Sequence, residues 1–330
     1  MTKKHAKSLC CGNLIVKFGE RRRQCRSCKK TWRIRKKQRG RKRLRVSSEL
    51  VVRYFGHEIP SIRGLSSVRC ESRRRLELRV RRSRDFFLSH TSFAPIPSKG
   101  SLICISDGFV FQSRRYWYTC YLILLRSVEG EDAAILPPVI LSGTESQHGW
   151  KEAFNTIPCA VSSRIKALVC DGHRGLVNGA KRNSWLIQRC HFHLLASIGG
   201  RRSRSPYARH AAEGRRVHAL AKEVLETDDE TALPVLLRRI DDEALSTRSP
   251  ELRRCLRAFV NRYEEYRTYR YHPELRLPGT NNTAESLAGC LSEFVHRTRG
   301  FSTIPSIKKW FSALAKWKQT IKCRPKHQPN

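Results

Sequence analysis

The spacing of hydrophobic positions changes character several times along the chain. The first 45 residues hold only two apolar punctuations, "LIVKF" at 14–18 and "TWRI" at 31–34, in a background of Cys, Lys and Arg. Between 47 and 91 the pattern becomes helical. Leu50, Val51, Tyr54 and Phe55 form an i, i+1, i+4, i+5 stripe behind serine caps, and Pro60 stops it. A second short helix over Ser61–Val68 and a third from about Glu71 to Leu88 give the outline of a helix-turn-helix. "SFAPIPSKG" at 92–100 reads as a linker. Past it the period is β: "LICIS", "YWYTCYLILL" and "AAILPPVILS" are strand-like. "HGWKEAFNTI" then predicts a helix, "RIKALVC" a buried strand, "GLVNGAKRNSW" a helix, and "LIQRCHFHLL" a strand or a helix start. Residues 199–277 are charged and helical. Asn282–Gly300 predicts an amphipathic helix with Leu287, Leu291, Phe294 and Val295 inward. Antiparallel strands followed by alternating α and β segments predict an α/β fold, a mixed sheet covered by helices.

Charge narrows the function classes. The chain has 66 Lys and Arg against 28 Asp and Glu, a net charge of +38, and its first 100 residues hold 30 basic and 6 acidic side chains. Such an excess predicts a polyanionic partner, nucleic acid before any other. No run approaches the roughly 20 apolar residues of a membrane span. "MTKKHAKSLCC" lacks the apolar stretch of a secretory signal, so a cytoplasmic, nucleoid-associated protein is expected. The 13 cysteines are then thiols or metal ligands rather than disulfides.

Three acids stand out from the solvated charges. Asp107 follows "LICIS", Asp171 follows "KALVC", and Glu285 sits in the first turn of the helix opened by "TNNTAESL". Each also has an ordinary reading. Asp107-Gly108 is a hairpin signal, "CDGHRG" a strand-to-loop turn, and Glu285 the third member of a capping box begun by Asn282. Were they to meet uncompensated, each pair about 4 Å apart would repel by roughly 4 kcal/mol at an effective dielectric near 20. A divalent cation removes that repulsion. Hard carboxylates suit Mg²⁺ or Mn²⁺, and two such ions can serve phosphodiester cleavage.

"ALVCDGHRGL", "IQRCHFHLL" and "TNNTAESL" together resemble the core of DDE transposases of the Mutator-like bacterial insertion-sequence type. The resemblance spans roughly residues 100–315. It implies an RNase H-like mixed sheet flanked by helices, interrupted by an all-α insertion. Asp107, Asp171 and Glu285 then take the catalytic, magnesium-binding positions, with Cys190, His193 and Asn282 associated with the site. The activity implied is hydrolysis at element ends followed by strand transfer to target DNA, with two Mg²⁺ or Mn²⁺ ions. A homodimer or higher oligomer on double-stranded DNA is implied as well.

The N-terminal stretch carries Cys25-x-x-Cys28 after adjacent Cys10 and Cys11. It resembles the zinc ribbons that precede many insertion-sequence catalytic domains, with "NLIVKF" and "RRRQ" as two strands around Gly19. Ser8 occupies the place of the usual first cysteine, and His5 is an alternative zinc ligand to the adjacent pair. On the third helix, Arg73, Arg74, Arg75, Arg79 and Arg82, with Arg81 and Arg84, predict phosphate contact.

The expected organisation is a zinc-ribbon-like module at 1–46, a helix-turn-helix DNA-binding domain at 47–91 and a linker at 92–100. The catalytic core follows at 101–198, a helical insertion at 199–277, the rest of the core at 278–315, and a basic tail at 316–330. Two competing readings are a noncatalytic DNA-binding regulator derived from a transposase and an RNase H-like structure-selective nuclease.

Overall fold

The computed structural model describes residues 10–12, 14–18, 22–33, 44–59, 65–66, 72–113, 115–199, 211–298 and 303–326. The chain divides into two compact units, Met1–Arg45 and Val46–Asn330. No helix among the described residues is long and apolar enough to cross a membrane.

In the first unit, β1 (Ile15–Lys17), β2 (Arg22–Cys25) and β3 (Thr31–Arg33) form an antiparallel meander, with Ile15 opposite Cys25 and Gln24 opposite Thr31. The two strands expected from "NLIVKF" and "RRRQ" are present. Gly19, Ser8 and His5 lie outside the described residues.

The second unit is built on a seven-stranded mixed sheet. β4 (Leu102–Ser113) and β5 (Tyr116–Ser127) pair antiparallel along their whole length, from Leu102 opposite Ser127 to Ser113 opposite Tyr116. β6 (Asp132–Ile135) and β7 (Val139–Ser142) pair antiparallel with successive stretches of β5. The sequence reads as one strand here, but Pro137 and Pro138 offer no N–H to a ladder and split it into two. β8 (Ile165–Cys170) lies parallel to β4, and β9 (Leu186–Arg189) parallel to β8. β10 (Thr320–Lys322) closes the far edge against β6, so the order is β10-β6-β5-β4-β8-β9.

Period-two alternation splits the sheet into two packed faces. Ile103, Ile105, Leu122, Leu124, Ala167 and Val169 face one core, where α1 (Ser48–Phe55), α2 (Arg73–His90), α11 (Asn282–Thr298) and α12 (Ile304–Lys318) lie. Leu102, Cys104, Ile123, Leu125, Leu168 and Cys170 face the other, against α3 (Gln147–Phe154) and α5 (Arg174–Arg182). The one-turn α4 (Cys159–Ser162) leads into β8.

α6 (His191–Ile198) leaves β9 and enters a third core, shared with α7 (Ala211–Glu226), α8 (Leu233–Ser246), α9 (Pro250–Val260) and α10 (Tyr263–Tyr271). The described residues from 211 to 271 are almost wholly helical, as their sequence predicts. α10 is tied back to the sheet: Gln188 donates to the Tyr266 carbonyl at 2.9 Å and accepts from Tyr269 N–H at 2.8 Å.

Two boundaries differ from expectation. The helices at 48–90 do not stand apart as a separate DNA-binding domain. Tyr54 and Phe55 pack on Phe294 and Trp310 in the core of the main unit, because the stripe that defines α1 is wide enough to join it. Of the helix expected at 61–68, Leu65 and Ser66 are helical and the rest lies outside the described residues. The expected basic tail at 316–330 is likewise part of the fold through Lys326. α12 runs to Lys318, Gln319 turns with φ of 62°, β10 joins the sheet and Cys323 is buried.

Candidate active site and cysteine cluster

Ladder register decides where the acids fall. In the parallel pair, Ile105 stands opposite Val169, so two residues further on Asp107 and Asp171 reach the same level. Beyond Ile105, β4 pairs only with β5, and Asp171 is the first residue past the end of β8. Odd-numbered residues of both strands face the core that α11 covers, and so do these two acids. α11 carries Glu285 in its first turn. The three expected acids therefore lie near enough to feel one another's charge where the parallel β4–β8 pairing ends. Among the described residues, Glu285 alone of the three belongs, with Cys190 and His193, to a group of ligand atoms within 4.8 Å of one another.

The hairpin reading of Asp107-Gly108 fails, because both residues sit inside the twelve-residue β4. The capping-box reading fails by one position. The Asn281 carbonyl accepts from Ala284 and Glu285 N–H at 2.8 and 3.1 Å, so Asn281 is the cap. Asn282, expected near the site, is exposed on the first helical position.

A fourth acid joins the group. Glu145 sits two residues before α3, where Trp150 Nε1 donates to its Oε1 at 2.6 Å and His173 Nδ1 lies 3.6 Å away. It approaches the sheet at Gly108, where a Cβ would stand 3.2 Å from its carboxyl. The sequence signal was faint: an acid one residue before Ser146, whose side chain caps α3 by accepting from Gly149 N–H.

Burial and repulsion shape the electrostatics. Asp107 is 8 % exposed, and desolvation, then Asp171, Glu285 and Glu145, push its carboxyl up to about 8. Burial raises Glu145 despite the Trp150 hydrogen bond, and burial also raises Glu285, with His193 opposing and Asp171 adding. Asp171 is held by its own turn, accepting from His173 N–H at 2.8 Å. Gly172 makes that turn at φ of 93°, with Arg189 Nη1 lying 2.2 Å from where a Cβ would be. Arg189 itself is anchored to Glu265.

Cys190 and His193 lie beside the acids. β9 ends at Arg189, Cys190 caps α6, and His193 follows within its first turn. Cys190 N–H donates to the Cys170 carbonyl at 2.8 Å, one residue before Asp171. His193 Nδ1 stands 3.3 Å from Glu285 Oε1.

In the first unit, the sulfurs of Cys10, Cys11, Cys25 and Cys28 gather, with Cys10–Cys28 and Cys11–Cys25 at 3.2 Å and Cys10–Cys11 and Cys11–Cys28 at 3.8 Å. Four thiolates at about 2.3 Å from one zinc would stand about 3.8 Å apart. This cluster could bind a metal such as zinc. The adjacent cysteines, awkward on sequence grounds, both reach it. Left-handed residues follow each pair, Gly12 at φ of 69° and Lys29 at 59°, turning the chain back around the sulfurs.

The arginines of α2 divide. Arg74, Arg75, Arg81 and Arg82 are exposed, Arg73 is exposed but paired with Glu77 at 2.8 Å, and Arg79 is half-buried. Arg84 is not a phosphate-facing residue. It is buried, paired with Asp85 at 2.8 Å and stacked over Trp310 at 5.0 Å. The chain matches no protein-family model and no curated protein.

Proposed function

We propose that this protein is a DDE-type DNA transposase with an RNase H-like core, acting on the ends of a mobile element. One observation carries the reading. The β4–β8 register sets Asp107 level with Asp171, and α11 carries Glu285 in its first turn, where burial and then the charges of Asp171 and Glu285 raise the proton affinity of Asp107. The order β6-β5-β4-β8-β9, with the first three strands antiparallel and the last three parallel, supports the RNase H-like assignment. The helical stretch between β9 and α11 has the position of the expected insertion.

The donor set fits magnesium or manganese: hard oxygens, crowded enough to repel, with Glu285 Oε1 buried and without a hydrogen bond. Two divalent cations held there by Asp107, Asp171 and Glu285 would activate the attacking hydroxyl and stabilise the leaving oxygen. The chain's own part is positional. Register fixes Asp107, the His173 N–H fixes one Asp171 oxygen, and Trp150 fixes Glu145 behind them. The proposed chemistry balances at each step. Water breaks a phosphodiester to leave a 3′-hydroxyl and a 5′-phosphate. That hydroxyl then attacks a target phosphodiester, forming one ester bond as another breaks. DNA is held by the exposed α2 arginines and, in the first unit, by a basic surface around the zinc-binding cysteines.

The test is cleavage of element-end DNA with Mg²⁺ by the full chain. Asp171→Asn and Glu285→Gln are each expected to lose cutting by about a thousandfold or more while DNA binding is kept. Full activity in either variant ends the assignment, and equal cutting of a four-way junction regardless of sequence favours a structure-selective nuclease.

A further inference from the structure

The start of α6 holds a cluster of different chemistry. Cys190 Sγ, a His193 ring nitrogen and a Glu285 carboxylate oxygen all lie within 4.8 Å of one another. Cys190 caps the helix and His193 follows one turn on, so both side chains gather at one helix end, and the first turn of α11 supplies Glu285.

We propose that Cys190, His193 and Glu285 form a zinc site, separate in chemistry from the hard-oxygen pocket and sharing Glu285 with it. Ligand atoms around a tetrahedral zinc at about 2.0–2.3 Å stand roughly 3.3–3.8 Å apart, so these three need to close by about 1.5 Å at most. His193 Nδ1 and Glu285 Oε1, 3.3 Å apart, are both buried and neither makes a hydrogen bond. A simple histidine–glutamate pair would turn to form one, because each unsatisfied buried polar atom costs about 1–3 kcal/mol. A cation between them satisfies both.

Cys190 is fully buried, and burial pushes its thiol up to about 11 against the opposing backbone N–H groups of Asn281, His193 and Phe192, so zinc binding here releases a proton from the sulfur. With a thiolate, a carboxylate and a neutral imidazole, the site carries two negative charges for one dication. Magnesium rejects a thiolate, whereas zinc accepts sulfur, nitrogen and oxygen together and leaves a fourth position open. The edge of the sheet thus sorts metals by softness. Asp107 and Asp171 hold only hard donors, and Glu285 stands between the two sets. If the transposase reading holds, zinc here competes with magnesium for Glu285 and restrains cutting.

The test counts zinc on the full chain after stripping, reloading and desalting. Two zinc ions per chain are expected, one in the N-terminal cluster and one here. Cys190→Ser and His193→Ala each leave one, His193→Cys restores two, and Cys25→Ser leaves the one at this site. In the Cys25→Ser background, cobalt(II) shows thiolate-to-metal absorption that disappears on adding Cys190→Ser, with circular dichroism confirming that the variant is folded. One zinc in the wild type, or two retained in folded Cys190→Ser, overturns the proposal. Zinc counting requires no catalysis, so two zincs without cleavage would sink only the transposase reading. Cleavage with one zinc would sink only this one.

Discussion

The cysteine cluster and the acid edge both bring like groups close in space, and they do so by opposite means. The four sulfurs come from two short stretches of a small meander and already stand 3.2–3.8 Å from their neighbours. The acids come from β4, the end of β8, the loop before α3 and the start of α11, more than 170 residues apart at the extremes. A large apolar core holds them against their own repulsion. In the first case a metal would supply much of the folding energy; in the second, the fold holds buried acids against one another's charge, and a metal bound as proposed would relieve that repulsion.

Removing metal from the two regions should therefore have unequal consequences. Cys25→Ser, or a strong zinc chelator, is expected to unfold residues 10–33, since a structural zinc contributes on the order of 10 kcal/mol to so small a unit. Limited trypsin digestion reads this as new cleavage between Arg22 and Lys30, with melting of the second unit unchanged. A cluster that stays protease-resistant without metal would erase the contrast.

The acid edge should respond to pH. The Asp107 carboxyl titrates near 3.8 when unfolded and about 8 in the fold, so between those values the folded chain holds a proton that the unfolded chain releases. The contribution of Asp107 to metal-free stability is thus fully present below about pH 4 and is lost as pH rises toward 8, by a few kcal/mol. Asp107→Asn should remove this slope, and Mg²⁺ should flatten it at pH 8 by binding the ionised form. Thermal melts across pH 5–8 measure both, and a slope unchanged in Asp107→Asn would show that the acids do not share one field. Glu145→Gln is a smaller perturbation. On the proposed reading it loses a charge behind the metal-binding acids rather than one of them, and should raise the Mg²⁺ requirement for cleavage by about tenfold.

What could be read in the sequence follows from how local each cause is. β4, β5 and β8 announce themselves as short, nearly continuous apolar runs rich in β-branched and aromatic residues and bounded by turn signals, the mark of strands covered on both faces. Asp107 and Asp171 could be named because each follows such a run, and Glu285 because it stands in the first turn of an amphipathic helix. Glu145 could not, since "GTESQHGW" reads as a polar loop and its role depends on Trp150 folding back over it and on Gly108 across the sheet. β10 is three residues long, too short to show a period, and the Asn281–Asn282 pair leaves the cap uncertain by one residue until the helix is seen. The pairing of α1 with α11 and α12 was hidden for another reason. The apolar stripe of α1 says that it packs, not against what.

Charge gives the last and smallest contrast between the regions. The first 45 residues carry 19 basic and 1 acidic side chains, whereas in the main unit the basic residues proposed to face DNA are confined to one side of α2. Arg74 and Arg82 are exposed and outside the described ion pairs, while Arg84, on the same helix, is buried against the Trp310 ring. If exposure alone decides which arginines meet phosphate, Arg74→Ala and Arg82→Ala should each lower the slope of log K against log salt by about 0.9. Arg84→Ala should leave that slope alone and lower the melting temperature instead, because it removes a buried stacking and ion-pair partner. Titrations of element-end DNA at three salt concentrations separate the two effects. A slope unchanged in the Arg74→Ala, Arg82→Ala double variant would move the phosphate-binding face away from α2 and leave the N-terminal unit as the main electrostatic contact.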